Sequence, residues 1–143
     1  MTAKMILFVE DNPDDEELTV RALQNHNVIN QIAVVRDGQQ ALDCLLDENM
    51  PLPAVVLLYL NLPKVSGLEV LQRLRANART AKLPVVILTG SKADQDVLDG
   101  YRFGCNSYIR KPVDFAQFSE AMRILKVFWL VTNEPQSRHR TPL

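Results

Sequence analysis

Two adjacent acids, Glu10 and Asp11, follow directly on the apolar run Met5-Ile6-Leu7-Phe8-Val9. Alone, such a pair is ordinarily a helix cap or a solvated surface charge. A third oxygen donor nearby would turn it into a site for Mg2+, a hard cation that takes a few carboxylates and keeps several waters. Asn61, shortly after the apolar run that ends at Tyr59, can supply that oxygen from its backbone carbonyl. Thr89 closes the run Val85-Val86-Ile87-Leu88 and precedes Gly90-Ser91. A β-branched residue there needs no functional account, yet its hydroxyl could hydrogen-bond a phosphoryl oxygen. Lys111 follows Tyr108-Ile109-Arg110 and precedes Pro112. Most lysines are solvated, but one held beside acids could neutralise an acyl phosphate or bridge the carboxylates. A cis Lys111-Pro112 bond is expected to help aim it.

These residues can act together only if the fold gathers them. Apolar, β-rich runs predict strands at residues 5–9, 32–35, 54–58, 85–88 and 107–109. Several are nearly continuous in apolar residues, which suits a parallel sheet covered on both faces. Between them, helices are predicted over about residues 13–25, 38–47, 67–76 and 93–103, with an extended last helix over 114–131. Pro13 fits a first helical position and Asp14 to Glu17 complement the positive helix end. Asp114 can cap the last helix, and Gly104 can end the fourth. Five βα units imply right-handed crossovers and an α/β architecture: a doubly wound, five-stranded parallel sheet with helices on both faces, flavodoxin-like. In such folds the functional crevice lies beyond the carboxyl ends of the strands. That rule places Glu10-Asp11, Tyr59 to Asn61, Thr89 to Ser91 and Lys111-Pro112 along one edge.

The 143 residues suit one domain, read as 1–132 with a polar tail at 133–143. A net charge of −1 and a pI near 6.1 offer no positive field to attract nucleic acid. The basic stretch Ser137-Arg138-His139-Arg140 reads as a solvated tail. Cys44 and Cys105 lie far apart and form no CxxC pattern, so reduced thiols in a cytoplasmic protein are expected. The first apolar run is too short for a signal peptide. Nothing approaches the roughly 18 apolar residues of a membrane span. No attached output domain is expected.

Taken in order, Phe8-Val9-Glu10-Asp11-Asn12-Pro13, Leu60-Asn61-Leu62-Pro63-Lys64, Gly67-Leu68-Glu69-Val70-Leu71, Thr89-Gly90-Ser91 and Lys111-Pro112 resemble the receiver domain of two-component response regulators. Glu-Asp-Asn-Pro-Asp-Asp near the start and Phe128-Trp129-Leu130 in the last helix narrow the resemblance to regulators paired with bacterial phytochromes. The resemblance implies phosphorelay signalling, a sensor histidine kinase as partner, Mg2+ as cofactor and a homodimer. It makes Glu10 and Asp11 the acidic metal pair, with Glu replacing the commoner first Asp, and Asn61 the carbonyl donor. Thr89 becomes the switch hydroxyl, Lys111 the site lysine and Tyr108 the aromatic whose rotation reports phosphorylation. Tyr59 falls on the phosphoaccepting aspartate and departs from it.

That departure undermines the expected chemistry. In a receiver the aspartate attacks the phosphorus of a phosphohistidine while Mg2+ and lysine neutralise the transferring group. A phenol is protonated at neutral pH and sets its oxygen farther from the backbone, and its phosphate would be an ester rather than a labile acyl phosphate. Losing the carboxylate also weakens the Mg2+ site, while it relieves repulsion among clustered acids. The expectation is an intact fold without catalysis of its own phosphorylation, through either natural inactivity or a deliberate replacement. The alternative is a phosphorylation-independent pseudo-receiver, a dimeric interaction module. A small-molecule-binding flavodoxin-like protein is a more distant reading, since no glycine-rich loop follows the first strand.

The predicted last helix has more apolar residues than one buried face needs. Phe115, Phe118, Ala121, Met122, Leu125 and Trp129 fall within an arc of about 120°, the expected core stripe. Ile124, Val127, Phe128 and Val131 form a second arc on nearly the opposite side, where a surface helix should be polar. Either the tail covers that arc or a second copy does; a homodimer centred on these residues is the favoured reading.

Overall fold

The computed structural model describes residues 5–90 and 104–127. Strand β1 (Ile6–Val9) leads into α1 (Pro13–Gln24), β2 (Ile32–Val35) into α2 (Gly38–Leu45), and β3 (Val55–Tyr59) into α3 (Gly67–Arg75). After β4 (Val85–Thr89) the described chain resumes in β5 (Ser107–Arg110) and ends in α4 (Phe115–Leu125). The helix expected over residues 93–103 lies outside the described residues, as does the tail.

All strand pairs are parallel, in the order β2-β1-β3-β4-β5. Side-chain alternation divides the core between two faces. Leu7, Val9, Val56, Leu58, Val85 and Ile87 meet Leu42 and Leu45 of α2 and Val70, Leu71 and Leu74 of α3. Ile6, Phe8, Val55, Leu57, Val86 and Leu88 meet Leu23 of α1 and Phe118, Ala121 and Met122 of α4. Burial on both sides explains why β1, β3 and β4 read as unbroken apolar runs.

Helix starts follow the local chemistry. The Asn12 side chain accepts from the backbone of Asp14 and Asp15, while Asp37, Ser66 and Asp114 cap α2, α3 and α4 in the same way. Gly67 is fixed by crowding: a Cβ there would lie 2.3 Å from the Tyr59 carbonyl oxygen. The start of α3 therefore seats directly on the end of β3.

The last helix departs from expectation. It stops at Leu125, and Lys126 turns into the left-handed region at φ 57°. The Lys126 N–H donates to the Arg123 carbonyl at 3.2 Å and the Val127 N–H to the Met122 carbonyl at 3.0 Å. Those two bonds form a Schellman turn, which satisfies the final carbonyls and ends the helix. Continuation to residue 131 is thus corrected. Val127 is folded back onto the α1/α4 side of the core, while Ile124 remains 52% exposed. The two do not share an outer face, and Phe128 and Val131 lie outside the described residues.

Candidate functional site

Register brings the distant motifs together. Val9 pairs with Val35 and Leu58, Tyr59 with Leu88, and Thr89 with Arg110. One residue further on, the Glu10 N–H donates to Val35, that of Leu60 to Leu88 and that of Lys111 to Thr89. Glu10, Tyr59, Thr89 and Lys111 consequently stand along one edge of the sheet. The Lys111-Pro112 bond is cis, as expected.

Lys111 organises this edge. Its Nζ lies 2.8 Å from Glu10 Oε1 and 2.7 Å from Asp15 Oδ2. The same nitrogen sits 3.6 Å from the centroid of the Tyr59 ring, a cation–π contact. Glu10 is fully buried, whereas the Lys111 side chain keeps 10% exposure and that of Asp15 36%. Burial pushes the Glu10 carboxyl up, and Lys111 together with the Asn12 N–H only partly offsets it. For Lys111, burial works against the ammonium, but the carboxylates of Asp15 and Glu10 outweigh it and hold its pKa above the usual value. The lysine is firmly charged.

The remaining site residues divide by exposure. Thr89 is fully buried, and its hydroxyl oxygen has no hydrogen-bond partner among the described residues. Asp11 and Asn61 are exposed. Tyr108 is 50% exposed on β5, so packing in the core does not explain it. Ser91 lies outside the described residues.

The donor set does not fit a tightly held divalent ion. No group of three or more His, Cys, Asp or Glu side chains among the described residues could hold a metal. The Lys111 ammonium lies 2.8 Å from Glu10 Oε1 as a close charge pair without hydrogen-bond alignment, and Tyr59 presents a ring face where an anionic oxygen is needed. The residue that sequence reading missed is Asp15. In the sequence it stands out, with its acidic neighbours, only as a complement to the helix dipole. The only available signal was its place in the first turn after β1, which aims it back over the sheet edge.

Comparison with known proteins agrees with this geometry. The family model described as the response regulator receiver domain matches residues 6–123. The response regulator Rcp1 of Synechocystis is 35% identical over 133 residues, covering 90% of this chain and 90% of that one. Its Mn2+-bound crystal structure superposes with a TM-score of 0.69 at 35% identity, over 85% of this chain and 91% of that one. The bacteriophytochrome response regulator AtBRR is 46% identical with a TM-score of 0.83, over 94% of this chain and 100% of that one. Its counterpart RtBRR is 47% identical with a TM-score of 0.82, over 94% and 84%. Among the described residues no helix is long and apolar enough to cross a membrane.

Proposed function

This chain belongs to the response regulator receiver domain family, and from that premise we propose that it takes part in phosphorelay signalling, docked by a phytochrome-type sensor histidine kinase, with aspartyl phosphorylation lost at Tyr59. The observation that carries this reading is the lysine-capped ring. Where receiver chemistry needs a carboxylate open to phosphorus, Tyr59 offers an aromatic face covered by the Lys111 ammonium at 3.6 Å.

The other parts of a phosphoryl pocket persist. Thr89 keeps a buried hydroxyl that is unpaired among the described residues, and Lys111 a positive charge, the groups that would hold phosphoryl oxygens. Tyr108, exposed on β5, is the aromatic that would turn inward when the pocket is filled. Mg2+ binding is weakened, because only Glu10, Asp11 and the Asn61 carbonyl remain as donors. Receiver domains generally use Mg2+; here it would assist no transfer. The protein is accordingly not an enzyme at this site.

Incubation with a small phosphodonor and Mg2+ tests this reading on the parent chain and on Tyr59→Asp. An alkali-labile acyl phosphate should form only on the aspartate variant. Labelling of the parent, or none of either, would overturn it.

A second reading is favoured by the closed state of the pocket. Lys111 already has three partners, so the observed arrangement needs no phosphoryl group to complete it. On that view the chain is a pseudo-receiver that works by surface recognition and as a homodimer, with the exposed Ile124 at the contact. Full activity toward the kinase partner in both chains, with and without phosphodonor, would select this reading.

A further inference from the structure

A lysine at this edge would ordinarily be free to reach toward an incoming phosphoryl group, yet here it is parked. Two carboxylates grip it from different elements, Glu10 from the end of β1 and Asp15 from the first turn of α1. The ring of Tyr59 receives the same ammonium on its face at 3.6 Å. Of the acids, Glu10 is fully buried, so its carboxylate depends on the cation beside it. An ion with two positive charges at Glu10 would be repelled by an ammonium 2.8 Å from its Oε1. Asp15 is the partly exposed member, and nothing in a carboxylate-plus-carbonyl metal site calls for it.

We propose that Asp15 is a positioning residue that holds Lys111 in place as a resident cation, standing in for the divalent ion and weakening the metal site independently of the missing carboxylate at position 59. The inference rests on the receiver reading of the pocket, but its test needs neither a phosphodonor nor a kinase. Failure here would leave the labelling experiment on Tyr59→Asp unaffected.

The measurement is Mn2+ affinity by calorimetry, with Mg2+ repeated by its effect on thermal melts, on the full chain. Removing Lys111 as Lys111→Met should tighten Mn2+ binding by about tenfold or more, a difference of about 1.4 kcal/mol. Lys64→Met, which removes a lysine paired with Asp37 instead, should change nothing. The decisive variant is Asp15→Asn. A simple field effect says that deleting an acid near a cation site weakens binding; release of the parked lysine says that binding tightens. Asp15→Glu, which keeps the anchor, should behave as the parent does. Should Lys111→Met fail to fold, Asp15→Asn, which keeps both Glu10 and Lys111 in the chain and loosens only the outer anchor of the lysine, carries the result alone. Weaker or unchanged Mn2+ binding in Asp15→Asn would overturn the proposal, as would parent binding as tight as that of a folded Lys111→Met.

Discussion

The Tyr59 ring contributes what a carboxylate could not: attraction for the lysine without adding to the acidic charge around it. It packs partly against the α1/α4 core and receives the Lys111 ammonium on its face. Such a contact is worth about 0.5–2 kcal/mol, more as it is desolvated. Tyr59→Asp forfeits it and sets another carboxylate beside the buried Glu10. Without divalent ions the variant should melt several degrees below the parent, and added Mg2+ should recover part of the loss. An equal or higher melting temperature in metal-free buffer would contradict this. Lys111 gives the complementary test. Its removal strands Glu10 as an unpaired buried carboxylate, a loss of about 3 kcal/mol at neutral pH. The sign follows from Glu10, whose carboxyl burial already raises above its ordinary 4.5. In Lys111→Met it rises further, so the penalty is full above that raised value and fades as the pH falls through it and Glu10 becomes neutral. In the parent, the raised Lys111 pKa keeps the pair intact until the pH climbs past the ordinary 10.5. Urea titrations of both chains between acid and neutral pH would show the gap narrowing toward acid; a constant gap would mean that Glu10 is not the cause.

Elements were legible where one physical signal dominated. Runs of apolar residues marked the five strands to within a residue, because β1, β3 and β4 are buried on both faces and tolerate few polar residues. Asp114 showed as a cap for the same reason that it works as one: its side chain accepts from Gln117 where the helix has no acceptor of its own. The end of α4 was not legible, since the apolar pattern continues past it and Lys126 takes the position where glycine is expected. A non-glycine residue in the left-handed region costs about 1 kcal/mol relative to glycine. Lys126→Gly should therefore stabilise the protein by roughly that amount, read as a higher denaturant midpoint with an unchanged slope. The opposite substitution strategy applies at Gly67. Gly67→Ala drives a methyl to 2.3 Å from the Tyr59 carbonyl oxygen, so backbone must move. Stability should fall by about 2 kcal/mol or more, and the amide signals of residues 59 and 60 should shift.

At the scale of the molecule, topology turned scattered motifs into a site. The order β2-β1-β3-β4-β5 places Glu10, Tyr59, Thr89 and Lys111 on one edge although 101 positions separate the first from the last. Motif order sufficed to infer that much. It could not reveal that Lys111 would choose Asp15, because the choice depends on how α1 leaves the edge. The same limit applies to assembly. Helical periodicity grouped Ile124 and Val127 on one outward arc, but the Schellman turn separates them, leaving Ile124 52% exposed and Val127 packed on the core. The two positions should now respond differently. Ile124→Glu places a charge on open surface; it should leave the stability of the single chain within about 0.5 kcal/mol of the parent and, if a second copy covers that face, convert the dimer to monomer in light scattering. Val127→Glu buries part of a charge against Met122 and its neighbours, so it should lower the melting temperature at any protein concentration. A dimer that survives Ile124→Glu would place the contact elsewhere on the molecule, and a Val127→Glu chain as stable as the parent would show that the turn after α4 does not hold this side chain on the core.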